Sequence, residues 1–388
     1  TGAVVTGICT ATSFSGSGEG LTYTSPLSHR NIIINGDMRV AQRATSASMS
    51  SAGNTYDVCD RWSYNRNGVT ATVAQVAEAP AGSGFTKSLK FTTTSELGSI
   101  SAGNMLSFSY RIETQDVKKL DYGTSDAKTA TISFWVRGSL AGKIGVSCVR
   151  NSRIFATNVD ITANTWTFAE VVIPADTSTA FSGADTAAGF DVAIRAAAGS
   201  NFTSGPTGGS WISFHTAYAA GFTAGQQGAY LTTDNSTFQI TGLQFEIGSK
   251  ATPLEHKTYS EEHLRCARYH QEQQGHSDLY IEAGKGQGST SADVGHSLVV
   301  PMRAQPSVTL GGHRVFSDSG LTSSTSTPTV TNWDAAHSPH SSIIGLNVDN
   351  GVAKITKSAF STALGKVLSI ESTNPLSIAL VSVFLVLA

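Results

Sequence analysis

The sequence predicts an all-β protein: a jelly-roll β-sandwich and a distal β domain joined by one short helix. Three observations carry this. Short runs rich in Val, Ile, Thr, Phe and Tyr alternate apolar and polar residues with the period of a half-buried antiparallel strand. Gly, Asn, Asp and Pro stand between the runs, where turns need them. Charge is sparse at 14 % against 40 % hydrophobic residues, and 38 glycines with abundant Ser and Thr give a surface of hydroxyls and amides rather than ions.

In chain order, residues 1–29, "TGAVVTGICTATSFSGSGEGLTYTSPLSH", combine short β-favouring stretches with Gly-rich turns and too little apolar content to fold alone. Residues 30–258 hold the sandwich, with strands expected at 70–77, 87–94, 105–113, 129–138, 143–150, 166–174, 190–198, 209–218 and 236–248. In "TISFWVRG" the alternation sets Ile132, Phe134 and Val136 on one face and Thr131, Ser133, Trp135 and Arg137 on the other. A connecting helix is expected over 259–274, with Ser260 as N-cap, Glu261 and Glu262 in the first turn, Arg265 and Arg268 near the end, and Gly275 as the stop. The distal β domain, 275–388, is expected to contain strands at 277–284, 296–302, 306–312 and 342–349. Between the last two, the polar stretch from Ser317 to Ser342 reads as an exposed loop. The run "PLSIALVSVFLVLA" is too short for a transmembrane helix of about 20 residues and reads as a buried final strand, so no membrane insertion is expected.

Composition also excludes. A formal net charge of −2 supplies no field to gather nucleic acid. Cys9, Cys59, Cys148 and Cys266 form no C-x-x-C pair, so neither a zinc ribbon nor a redox motif can be drawn, and the thiols read as reduced core residues. No basic segment followed by an apolar run opens the chain as a signal peptide would, and the missing initiator Met suggests processing or a fragment. His263, Cys266 and His270 share one helical face, but a zinc site needs about four ligands. No catalytic residue is expected, because G-x-S-x-G, H-E-x-x-H and the phosphate loop G-x-x-x-x-G-K-S/T are all absent. No resident cofactor is expected either; a structural calcium between Asn35, Asp37 and Glu246 is the one cofactor left open.

Five ordered landmarks carry a resemblance. These are "NIIINGDMRVAQR" at 31–43, "DRW" at 60–62, "SFW" at 133–135, "QFEIGSKATPLE" at 244–255 and "CARYHQ" at 266–271. Together they resemble the carbohydrate-binding-module-like domain of phage tail fibres and related virion proteins of marine and cyanobacterial phages. The resemblance implies a homotrimeric virion fibre, tail or head, assembled in the host cytoplasm, with residues 1–29 as a short intertwined N-terminal shaft. It implies a chain joined to other virion proteins through its N-terminal segment and attached to host surface polysaccharide through the sandwich. The alternative is a virion structural component, such as a head fibre, decoration or connector protein, that binds no receptor. The apolar C-terminal run departs from the polar strand with which such chains often end.

A sugar-binding sandwich needs flat aromatic faces to stack on pyranose C–H groups, with polar side chains beside them to read hydroxyls. Trp135, Arg137, Trp166, Trp211 and Tyr64 are the candidate glycan-binding residues; Trp62, Asp60, Arg61, Asn164 and His215 are further aromatic and polar candidates. Each aromatic has an equally physical alternative as core, and parity alone favours Trp135 for a groove or a neighbouring subunit.

Overall fold

The computed structural model describes residues 29–49, 53–203, 210–213, 229–272 and 298–303, with the backbone of further strands between 280 and 372. The shaft-like segment, the Gly275 stop, His215, the 306–312 strand and the final apolar run lie outside the described residues.

Thirteen described strands build the sandwich. They are β1 (Ser46–Met49), β2 (Gly53–Thr55), β3 (Trp62–Asn67), β4 (Thr70–Val76), β5 (Ser88–Ser95), β6 (Met105–Glu113), β7 (Ala130–Gly138), β8 (Gly142–Arg150), β9 (Arg153–Ile161), β10 (Thr167–Ile173), β11 (Ala188–Ala198), β12 (Ile212–Ser213) and β13 (Thr237–Ile247). One sheet has the order β1-β4-β5-β13-β7-β10 and the other β12-β9-β8-β11-β6-β3-β2. Every pairing among these strands is antiparallel. The protein is all-β, a two-sheet sandwich of jelly-roll kind.

Period-two patterning fixes which residues face inward. Ile132, Phe134 and Val136 on β7 are fully buried, as are Leu89 and Phe91 on β5 and Phe238 and Ile240 on β13. They meet Phe108 and Tyr110 of β6 and Ile144, Val146 and Cys148 of β8 in one continuous core. Phe108 joins the sheets, stacked on Phe91 at 4.2 Å and on Phe238 at 5.9 Å between ring centroids. Burial of each such ring contributes roughly 2 to 3 kcal/mol.

β3 and β9 escape a reading by alternation because polar residues dilute it: "WSYNRN" buries Trp62 and Tyr64, and "RIFATNVDI" buries Ile154 and Phe155. Asn151, in the left-handed region at φ 45°, turns the chain between Arg150 and Arg153, the last pair of the β8–β9 hairpin. The expected 209–218 strand is described only as β12.

Beyond the four-residue helix α1 (Thr114–Val117), the main helix is α2 (Tyr259–Ala267). Its N-cap is Thr258, not Ser260. Thr258 and Glu261 close a reciprocal capping box: Glu261 N–H donates to Thr258 Oγ1 at 3.3 Å and Thr258 N–H donates to Glu261 Oε2 at 2.7 Å. Cys266 of α2 belongs to the sandwich core, whereas Leu264 is exposed.

A third, seven-stranded antiparallel sheet follows: β14 (Tyr280–Gly286), β15 (Ser291–Ser297), β16 (His313–Ser317), β17 (Gly320–Ser323), β18 (Thr329–Asn332), β19 (Ile343–Asp349) and β20 (Leu368–Ser372), ordered β17-β16-β20-β14-β15-β19-β18. The stretch read as an exposed loop from Ser317 contains β17 and β18, whose Thr-rich alternation was masked by its turn residues. The strand expected at 296–302 ends at Ser297 instead, with Pro301 in the irregular segment beyond it.

Candidate binding face

Four of the five sequence landmarks, those at 31–43, 60–62, 244–255 and 266–271, meet, and their polar groups bond to one another. Asn31 Oδ1 accepts from Ile33 N–H and Phe245 N–H, while its Nδ2 donates to the Leu243 carbonyl. Asn35, in the left-handed region at φ 59°, donates through Nδ2 to the Val40 and Asp60 carbonyls and accepts from Val40 N–H. Its own carbonyl accepts from Trp62 Nε1 at 3.0 Å, and its N–H donates to Glu262 of α2. Gly36 is required because any Cβ there would stand 2.1 Å from the Leu243 carbonyl oxygen. Asp60 accepts from Gln42, whose amide also reaches the His270 carbonyl. Glu255 accepts from Asn31 N–H at 2.9 Å and from His29 N–H at 2.5 Å.

This clasp occupies the groups considered for metal and thiol chemistry. Asp37 pairs with Arg39, and Glu246 accepts from Thr252 and Gln244, so Asn35, Asp37 and Glu246 do not converge as a calcium cage. Among the described residues no group of three or more His, Cys, Asp or Glu side chains is arranged to hold a metal ion. Cys59, Cys148 and Cys266 are free and buried, and burial pushes each thiol up, away from nucleophilic thiolate.

Two groups in the clasp make it acid-sensitive. Burial, reinforced by the charge of Arg43, lowers His270 from 6.5 to about 4. Burial alone would raise Glu255, but backbone N–H donors and the Lys257 ammonium outweigh it and lower it from 4.5 to about 2. Both groups bind fewer protons folded than unfolded, so stability is lost as pH falls, through His270 between 6.5 and about 4 and through Glu255 between 4.5 and about 2. Urea midpoints measured from pH 7.5 to 3 should fall in this way, and His270→Gln should remove the limb above pH 4.5. An unchanged limb in that variant would refute the assignment.

The candidate glycan-binding residues divide into two groups. Tyr64 is fully buried, its ring edge-on to Phe91 and its hydroxyl accepting from Asp57 N–H. Trp211 is 8 % exposed and packs against Tyr122, Phe155 and Phe190, with Nε1 donating to the Pro174 carbonyl at 2.8 Å. Neither can stack on a sugar; both are core. Trp62 is core as well, edge-on to Tyr110 at 5.2 Å.

Trp135 and Arg137 fall on the outer face of the first sheet. Register pairs Trp135 of β7 with Phe168 of β10, and their rings lie 5.3 Å apart with a 56° tilt. Phe168 is 46 % exposed, and Val172 further along the same side of β10 is 41 % exposed. Trp166 stands one residue ahead of β10, outside the strand, and is partly exposed.

A polar rail runs beside these rings. Arg137 Nη1 lies 3.4 Å from Glu78, and its Nε donates to the Asn164 carbonyl. Lys90 and Gln239 also donate to Glu78, at 2.8 and 3.2 Å, and hydrogen bonding from Lys90 lowers the Glu78 carboxyl below its ordinary range.

On the other flank is a groove of about 400 Å³ between Trp135, Phe168, Phe85, His256 and the 251–254 segment. Gly242, at φ 66°, permits the break in β13 register here, where a Cβ would stand 2.6 Å from the Phe85 ring. The Phe85 and His256 rings lie 5.4 Å apart, tilted by 35°, on the groove wall. The sequence reading missed Phe168. It also missed Phe85 and His256, which lie outside strands, where no periodicity assigns a face.

Solved structures show a partial similarity to this chain at low TM-score.

The enzymatically active domain of bacteriophage CBA120 tailspike protein 4 is 11 % identical over 56 % of this chain and 21 % of that one, TM-score 0.29. This chain therefore spans about a fifth of the tailspike's length. A family 11 carbohydrate-binding module from a cellulosomal cellulase of Clostridium thermocellum is 11 % identical over 53 % of this chain and 100 % of its own, TM-score 0.26. The CBM22-1 xylan-binding domain of Paenibacillus barcinonensis Xyn10C is 14 % identical over 53 % and 95 %, TM-score 0.24. At these identities and TM-scores no residue role is carried across. No protein-family model matches the chain, and no curated protein matches its sequence.

Proposed function

We propose that this chain is a non-enzymatic virion fibre protein that attaches phage to host surface polysaccharide through the outer face of the first sheet. The observation that carries the reading is the Trp135–Phe168 pair, an exposed aromatic platform beside a groove and flanked by Arg137, Glu78, Lys90 and Gln239. Sugar C–H faces stack on such rings while charged and amide groups form hydrogen bonds with hydroxyls. The order of the five sequence landmarks supports placing the sandwich in a homotrimeric fibre of tail or head, joined to the virion through its N-terminal segment. In this reading a single groove binds weakly, and three-fold repetition multiplies the effect.

A glycan array followed by titration of the responding oligosaccharide tests this. Trp135→Ala should weaken binding at least about tenfold, since a stacked ring contributes about 0.5 to 1.5 kcal/mol beyond its buried area. A blank array, or a positive one indifferent to Trp135→Ala, would reject this face as the receptor site. A blank array with the protein located on the capsid would favour the structural, non-receptor role.

A further inference from the structure

A second pocket, of about 500 Å³, opens where the "DRW" and "CARYHQ" landmarks meet, away from the Trp135 face. Its charge is unbalanced. Arg43, Arg61, Arg111, Arg268 and Arg303 line it, against the two carboxylates Asp60 and Glu113.

Those carboxylates are already committed. Glu113 accepts from Arg268 Nε and Nη2 at 3.0 and 2.9 Å and from the Tyr269 hydroxyl, so that pair is internally neutral. Asp60 accepts from Gln42 N–H and side-chain amide, with Arg43 only at 3.9 Å. Arg111 has a partner in Asp191 at 3.5 Å, on the half-exposed rim.

Arg61 and Arg303 remain. The Arg61 guanidinium lies over the Tyr269 ring at 3.5 Å and the Tyr110 ring at 4.7 Å, and donates to the Tyr110 hydroxyl and the Arg111 carbonyl. Arg303 donates to the Thr186 carbonyl at 2.9 Å. Neither has a carboxylate partner among the described ion pairs. Arg61 is also held in the left-handed region at φ 73°, where a non-glycine residue is strained and persists only if its surroundings over-determine it. The two tyrosine rings supply that constraint and fix the guanidinium in place before any ligand arrives. Planar guanidinium groups held this way match carboxylate and sulfate oxygens in paired hydrogen bonds.

We propose that this pocket is a binding site for an oxyanion, the carboxylate or sulfate group of an acidic sugar or the free anion, held by Arg61 and Arg303 with Arg43 and Arg111 at its margin. The site is independent of the Trp135 face, so either can fail without the other.

The experiment is isothermal titration of the full chain at constant ionic strength with sodium sulfate, galacturonate, trigalacturonate and, as neutral control, galactose. Sulfate and galacturonate should bind saturably and compete, while galactose gives no heat. Trigalacturonate binding more tightly than galacturonate would assign the source as an acidic glycan; equal affinities would assign it as a free anion. Arg303→Gln, a rim change outside the clasp, and Arg61→Lys should each weaken anion binding about tenfold, as loss of a charge-assisted pair predicts. Trp135→Ala should leave it unchanged. Absence of saturable binding by any of the anions, or an affinity indifferent to Arg303→Gln, would overturn the proposal.

Discussion

Asp176→Ala should destabilise the sandwich by about 3 to 5 kcal/mol, read as a lowered urea midpoint, because it strands a buried arginine. The Arg150 side chain is 0 % exposed and Asp176 2 %, joined at 2.6 Å. Arg153 reaches the same carboxylate at 3.1 and 3.2 Å, and Ser178 N–H donates at 3.1 Å. Burial alone would raise the Asp176 carboxyl, but these donors outweigh it and hold the group below its ordinary range. Around the pair stand the rings of Tyr122, Phe181 and Trp211, 5.0 to 5.6 Å from the guanidinium carbon, so no water replaces the lost carboxylate. The contrast is Lys143→Ala. Its partner Asp160 lies at 2.9 Å, but the two side chains are 47 % and 77 % exposed, and the change should cost under about 1 kcal/mol. Equal effects from the two variants would contradict the account.

Asn35→Ala should cost on the order of 3 kcal/mol and release α2 from the sandwich. Three hydrogen bonds end on the Asn35 side chain, and its loss leaves Val40 N–H and the Asp60 carbonyl without those partners, at about 1 to 3 kcal/mol for each buried group left unsatisfied, whereas the Val40 carbonyl keeps Asp60 N–H at 3.0 Å. Alanine also tolerates φ 59° less well than asparagine. Because the Asn35 backbone positions both Trp62 Nε1 and Glu262, local opening should follow. Hydrogen exchange should show lost protection in α2 before the inner strands. Uniform loss across the sandwich would mean that the clasp is not a separate unit.

The clasp explains why most landmark residues are legible in sequence without lying on the Trp135 face. Within "NIIINGD" and "DRW", Asn31, Asn35 and Asp60 have specific buried partners, and Gly36 has no room for a Cβ. His270, one of three side chains that looked like metal ligands, is instead a partly buried imidazole beside this clasp, its basicity lowered by desolvation and Arg43. Aromatic residue type was a weaker guide. Trp62, Tyr64, Trp135 and Trp211 look equally able to stack on a sugar, and all but Trp135 are core.

Sequence alone determined the all-β class, the inward face of β7 and the position of α2. Each follows from local periodicity or local capping, which a linear chain carries in full. Only the tertiary structure decided that Cys266 of α2 joins the sandwich core, that Trp135 meets Phe168 across two strands, and that Arg61 and Arg303, far apart in the chain, line one pocket. Those facts depend on strand order and register, which bring together residues far apart in the chain, and no local pattern encodes such distances.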